Sequence, residues 1–282
     1  GGGNFGVVTS LTFRTLPVPP STVLHLAWTH ARAADLAALI EAWQRWSPPA
    51  PDGLAASLLI TVPGDPDRPP AAHVFGALLD TESAAHRLLG DLVARCPAAP
   101  DSTEVALLPY RRTKARLAEL GDDIAEAGPD HVRHTSSRSE FFDRPLPAAA
   151  IAALVGNLGR DRRAGQSREL DFSPWGGAYN RTPAPATAFA HRDCLFLLKH
   201  AVGVPATAGA EARQEAGDWL AASWSSVRPA GSGRVYPNFP DPGLADWARA
   251  YHGANYDRLC RVRARYDPDG FFRFPQAIGS AP

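Results

Sequence analysis

Glycines 1, 3 and 6 open the chain in a G-x-G-x-x-G spacing. In a dinucleotide-binding turn that spacing follows a strand and opens a helix, so that backbone N–H groups meet a pyrophosphate. Here the β-branched run 7–15 (VVTSLTFRT) follows instead, which reads as a strand. A glycine turn entering a strand still lets bare backbone approach phosphate oxygens closely. A tight turn with no ligand is the other meaning of the same pattern. Further on, Tyr236 and Asn238 lie two residues apart and point to one side if the chain is extended there. His191 and Arg192 follow a Thr- and Pro-rich bend, and Trp175 to Asn180 is a Gly-rich aromatic stretch. Lys199 is one of only two lysines and sits inside an apolar run, while Asp171 reads as a surface strand carboxylate. Cys96, Cys194 and Cys260 form no CxxC pair and no zinc spacing, so no metal is expected. There is no P-loop, no HExxH and no G-x-S-x-G elbow.

The elements that must hold these residues alternate between strand and helix patterns. Strands are expected at 22–29, 54–62 and 71–79, with a turn-rich 63–67 joining the last two. Residues 31–46 carry Leu36, Leu39, Ile40, Trp43 and Trp46 at helical spacing. Thr81 is an N-cap for a helix to about Arg95. Residues 101–128 are polar with little periodicity, read as a short helix and a loop. A half-exposed strand is expected at 131–142, and Pro147 suits the first turn of a helix to Leu158. Strands follow at 168–173 and 194–202, then a helix at 210–227. Two helices, 244–251 and 255–266, are separated near Gly253, and 267–270 is a turn before an apolar tail, 271–278. The order implies an α+β fold with a broad antiparallel sheet.

Composition excludes several classes. The 29 basic and 29 acidic residues cancel, which leaves no electrostatic footprint for nucleic acid or for an anionic membrane. No apolar run is long enough to span a bilayer. The length of 282 residues supports a core without disulfides or metal. Methionine is absent, so position 1 is not a translated start.

Three stretches carry a resemblance. Residues 1–12 (GGGNFGVVTSLT) resemble the segment that closes the FAD-binding domain of the berberine bridge enzyme-like FAD-linked oxidases. Residues 236–278 resemble that family's C-terminal signature, with Tyr-x-Asn-Phe-x-Asp, then Tyr-His-Gly-x-Asn-x-x-Arg-Leu, then Tyr-Asp-Pro-x-x-x-Phe and a final Pro-Gln. Residues 175–180 and 188–192 are similar to its Tyr-Gly-Gly and Phe-Pro-His-Arg elements, with Trp175 in place of the more usual Tyr. Between about Pro17 and Arg168 no motif of the family is found.

The resemblance implies a substrate domain with helices on one face of the sheet, preceded by an FAD domain of which this chain would keep only the end. Residues 1–15 would close the FAD domain, 16–235 would be the substrate domain and 236–282 would pack back toward the flavin. It places a tyrosine base at Tyr236. An alcohol oxidase of this kind removes the hydroxyl proton while hydride leaves carbon for the flavin. An ordinary tyrosine, with a pKa of about 10, needs a cation or donor beside it to serve as base. Lys199, His191 and Arg192 are the expected cations. Lys199 stands where many relatives would have Gln. FAD contacts are expected from Gly2, Gly3, Asn4, Phe5, Gly6, Val8, Asn238 and Asn255. Trp175, His191, Arg192 and Lys199 are expected in the substrate pocket. The expected partner is a small-molecule substrate. Two functions stay open at this point: part of an FAD-dependent oxidoreductase, or a non-catalytic relative acting as a binding module.

Overall fold

Apolar residues alternate with small or polar ones in strand after strand, and the alternation builds a sheet with one dry face. The structure is a computed structural model and describes residues 2–124 and 133–279. Its elements run β1 (Ser21–Trp28), α1 (Ala33–Trp46), β2 (Leu54–Val62), β3 (Ala71–Leu78), α2 (Glu82–Val93), β4 (Ser102–Leu108), α3 (Tyr110–Ile124) and β5 (Arg133–Phe142). Then come α4 (Ala148–Gly159), β6 (Ser167–Pro174), β7 (Phe196–Pro205), α5 (Ala210–Val227), α6 (Trp247–His252) and α7 (Tyr256–Tyr266). The strands form one sheet in the order β4-β1-β3-β2-β6-β7-β5. Every neighbouring pair is antiparallel. The expected α+β class with a broad antiparallel sheet therefore stands.

The dry face buries Leu58 and Ile60 of β2, Leu170 and Phe172 of β6, and Phe196 and Leu198 of β7 under α1, α2, α4 and α5. Helix α1 brings Leu36, Leu39, Ile40 and Trp43 to that core at the spacing of one helical face. Trp43 is wholly buried against Phe172 and Phe196, and its indole N–H donates to Ala56 O at 3.0 Å. Gln44 is buried too, and its amide exchanges two bonds with the backbone of Leu146, which ties α1 to the start of α4. Thr81 caps α2 as expected, its hydroxyl accepting the Ala84 N–H. Pro147 stands at the N-cap of α4.

The other face differs. Ser57, Leu59 and Thr61 of β2 and Glu169, Asp171 and Ser173 of β6 are all partly exposed. Only α3 meets this face among the described helices, reaching Glu104 of β4 through a forked Arg116 pair at 2.9 and 2.7 Å. Glu104 stands opposite His25 in register, on the side away from Leu24 and Leu26.

Two expectations need correction. Residues 7–15 form no strand: the segment joins no ladder, and Val7, Val8, Leu11 and Phe13 are 71–78% exposed. Extended β-branched sequence becomes a strand only where another strand accepts its hydrogen bonds, and none of the described strands does so here. Residues 101–124 hold β4 and the fifteen-residue α3 rather than a short helix and a loop. Their apolar residues are few because both elements are partly exposed, which hid the period. The apolar tail after Gly270 has no regular structure, yet Ala277 and Ile278 are buried. Gly1, the beginning of the expected strand at 131 and the end of the expected loop, residues 125–128, lie outside the described residues.

Candidate active site

Beyond the end of β6 the chain makes a sharp turn through Trp175, Gly176 and Gly177. The Trp175 backbone N–H still donates to Leu195 O at 2.8 Å, so its backbone is fixed to the end of the sheet. Gly176 is required there: a Cβ would sit 2.3 Å from Pro48 O. Gly177 has φ +68°, a left-handed value that favours glycine. The next loop is tied down by Asn180, whose amide donates to Cys194 O, and by Asn255, whose amide donates to Ala184 O and Thr187 O.

An aromatic cluster gathers at this end. Phe141 lies edge-on to Trp175, Phe189 and Tyr236, with ring centroids 5.2, 6.2 and 6.1 Å away. Trp175 stacks on Tyr179 and meets Tyr236 edge-on. Such edge-on contacts hold ring orientation as well as area. Asn238 donates its amide N–H to Tyr236 Oη at 2.7 Å. The two termini close the site from below: Ile278 N–H donates to Asn4 Oδ1 at 2.8 Å, and Gln276 donates to Asp241 O. Tyr251 Oη, buried in a second small core with Val235 and Trp247, accepts the Asp241 N–H at 2.8 Å.

These segments enclose a cavity of about 710 Å³. Gly2, Asn4, Phe5, Trp175, Tyr179, Phe189, Arg192, Tyr236, Asn238, Tyr251, His252 and Gln276 are among its walls. Sequence separations of more than two hundred residues thus meet in one place, as the two terminal motifs suggested.

The expected site residues divide. Tyr236, Asn238, Trp175, Arg192, Gly2, Asn4 and Phe5 line the cavity. Gly3, Gly6, Val8 and Asn255 do not; Gly6 and Val8 lie on the exposed strip, and Asn255 spends its amide on loop carbonyls. His191 is also outside the lining. It is 1% exposed, and its Nε2 is bonded to Tyr251 O at 3.0 Å. Burial, with Arg234 nearby, lowers its pKa to about 4, so it is neutral at pH 7 and supplies no cation. Arg192 stays with the cavity, its guanidinium over the Phe189 ring and bonded to Tyr179 O and Thr187 Oγ1.

Lys199 faces the open side of the sheet. Its Nζ is 2.9 Å from Glu169 and 3.5 Å from Asp171 and lies 5.6 Å from the Phe239 ring, which also meets Tyr236 edge-on. Burial works against the ammonium, yet the two carboxylates hold its pKa above the ordinary value. Burial pushes the Asp171 carboxyl up, against the pull of Lys199. Burial also lowers His252, on the cavity wall, to about 4 and raises the Cys194 thiol to about 11.

Sequence reasoning placed Tyr179, inside the 175–180 stretch, at this site but missed Phe141, Phe189, Tyr251 and Gln276 as its builders. Tyr251 and Gln276 lie inside the C-terminal signature, which was the available signal. Phe141 ends an edge strand and had none.

Comparison with known proteins agrees with the geometry. Residues 235–279 match the family model described as berberine and berberine like. Over 99% of its length the chain is 28% identical to the uncharacterized FAD-linked oxidoreductase YgaK of Bacillus subtilis, covering 57% of that protein. It is also 28% identical to the aclacinomycin-N/aclacinomycin-A oxidase of Streptomyces galilaeus, with 98% of this chain and 55% of that one aligned. Among solved structures, a chitooligosaccharide oxidase superposes with a TM-score of 0.81 at 22% identity, covering all of this chain and 60% of the other. The berberine bridge enzyme from Eschscholzia californica superposes with a TM-score of 0.77 at 19% identity, over 94% of this chain and 56% of the other. The chain thus spans between half and two thirds of the length of these relatives.

Proposed function

We propose that this chain, which carries the signature of the berberine bridge enzyme-like FAD-linked oxidases, forms the substrate side of an FAD-dependent oxidoreductase. The reaction is oxidation of an alcohol-bearing metabolite or sugar, with Tyr236 taking the hydroxyl proton. The observation that carries this reading is the Tyr236–Asn238 pair on the wall of a cavity that the N-terminal glycine turn also lines. Relatives named as oxidases of aclacinomycin and of chitooligosaccharide support a hydroxyl-bearing substrate.

The residues present fit a flavin. The cavity is large and walled by aromatic faces, which suit a flat ring. The Trp175 indole N–H is buried without a partner, a donor that an acceptor-edged ring would satisfy. Gly2, at φ +55°, keeps the cavity wall free of a side chain where a ligand would approach. Bound there, a flavin would accept the hydride. Gly2, Asn4, Phe5 and Trp175 would hold it.

The chain's own groups handle the proton. Tyr236 Oη accepts the Asn238 amide N–H, a bond that strengthens as the hydroxyl loses its proton. Arg192 contributes positive charge to the same cavity. The edge-on rings of Phe141, Trp175 and Phe239 fix the orientation of the phenol. In the flavin-loaded protein, Tyr236→Phe is expected to slow flavin reduction by substrate about 10²- to 10⁴-fold while the substrate Kd stays within a few-fold. Stopped-flow absorbance with glucose, chitobiose or benzyl alcohol reads the rate. An unchanged rate removes Tyr236 from the chemistry, and a purified protein without flavin absorbance removes the oxidoreductase reading altogether.

A further inference from the structure

Edge strand β5 sends two charged residues of one face, Arg138 and Glu140, to the two ends of the segment that carries Tyr236. At the first end, Glu140 is fully buried, its Oε1 accepting the Gly233 N–H at 2.7 Å and its Oε2 paired with Arg228. At the second end, Arg138 Nε donates to Asp241 Oδ2 at 2.8 Å. Asp241 is itself buried, and its other oxygen accepts the Gly243 N–H. The backbone joins in: Phe141 N–H donates to Arg234 O at 2.9 Å, and Ser232 N–H donates to Phe141 O at 3.0 Å. The guanidinium groups of Arg138 and Arg228 both lie over the Trp224 ring, at 4.6 and 4.7 Å. The segment has no slack at Gly231, where a Cβ would come within 2.6 Å of Glu140.

Burying a carboxylate is costly, and an apolar pair would close a sheet edge more cheaply. Charged bonds of fixed direction give something that apolar packing does not, namely a set position for the chain they hold. Residues 233–241 are anchored at both ends in this way, and Tyr236 with Asn238 lies between the anchors. We propose that Arg138 and Glu140 are positioning residues, a two-point clamp that sets the Tyr236 hydroxyl against the substrate. The proposal rests on the reading of Tyr236 as the base, and neither residue lines the cavity itself.

The test uses Glu140→Ala, Glu140→Gln, Arg138→Met and the Glu140→Ala/Arg138→Met double variant of the flavin-loaded protein. Amide hydrogen exchange, which needs no turnover, is expected to speed up at Gly233 and Phe239 in the alanine and methionine variants while β2 and β6 stay protected. Flavin reduction by the fastest of glucose, chitobiose and benzyl alcohol is expected to fall about 10²-fold, with the substrate Kd nearly unchanged. Glu140→Gln keeps an acceptor for Gly233 and is expected to recover most of the rate. Because both anchors hold one segment, the double variant is expected to lose little more than the worse single one. Unchanged exchange at Gly233 and Phe239 overturns the clamp. Faster exchange with an unchanged reduction rate overturns its role in positioning, and Tyr236→Phe then separately decides whether the base assignment stands.

Discussion

The two faces of the sheet are written on the same strands by alternate residues, and they obey different rules. On the face toward α1, α2, α4 and α5, the large apolar side chains are buried and the indole N–H groups of Trp43, Trp46 and Trp219 reach a carbonyl. On the other face stand Lys199, Glu169 and Asp171 in mid-sheet, with α3 alone meeting it among the described helices. At the end of the sheet, the cavity keeps an unpaired indole N–H on Trp175 and a polar pair at Tyr236. Along β2, and along β6 as far as Ser173, the even-numbered residues are buried and the odd-numbered ones stay exposed or partly exposed. Parity divides the two faces along β2 and β6, whereas in β7 Leu197 and Ala201 are buried on the odd side as well.

Acid is expected to have the largest effect, and it acts on the dry face, on the opposite face and beside the cavity. His200 is wholly buried on that face, bonded to Ser223 Oγ at 2.9 Å, and burial lowers its pKa to about 3. His73, His191 and His252 are each held down to about 4, mainly by burial. A histidine whose folded pKa lies below the ordinary 6.5 stabilises the fold above pH 6.5, and that stabilisation is lost as pH falls toward the folded value. Glu140 acts in the opposite sense. Burial pushes its carboxyl up to about 7, so its share is fully present below its ordinary 4.5 and is lost as pH rises through 7. Four histidines outweigh one carboxyl, and thermal melts at pH 7, 5.5 and 4.5 are expected to show a steep fall in midpoint. A flat profile over that range would mean that these rings are solvated, His200 of the dry face included.

Trp43→Ala comes next. It removes the largest fully buried side chain of the dry face and leaves the Ala56 carbonyl without its indole partner. The expected loss is about 3–5 kcal/mol of unfolding free energy. Denaturant titration checks it, and a loss below about 1 kcal/mol would show a core able to collapse around the gap.

Much of this contrast was legible in the sequence. Leu36, Leu39, Ile40 and Trp43 show the helical period, and 54–62 alternates visibly, so the dry face was read correctly. The terminal motifs alone point to Asn4 and Tyr236 meeting at one site. What stayed hidden depends on partners distant in sequence. Residues 7–15 have strand-forming composition, but composition does not say whether a neighbouring strand accepts the hydrogen bonds. Lys199 was placed in the substrate pocket because an unusual lysine stands out, yet its direction is set by Glu169 and Asp171 on a strand that precedes it by some thirty residues. His191 looked like a cation until its burial was known. Arg138 and Glu140 carried no signal, since a charged residue on an edge strand reads as a solvated one.

Glu169→Gln is expected to have the smallest effect and tests the open face directly. The Glu169 side chain is 33% exposed, so its pair with Lys199 is screened by water and contributes little to stability. A change within about 0.5 kcal/mol is expected by denaturant titration. Lys199 keeps Asp171 as a partner, which lets the ammonium stay in place. A loss comparable to that of Trp43→Ala would mean that the charged row in mid-sheet holds the fold, and the division of labour between the faces would fail. A small loss leaves Lys199, Glu169 and Asp171 as groups the fold does not need, on a face whose aromatic edge borders Tyr236.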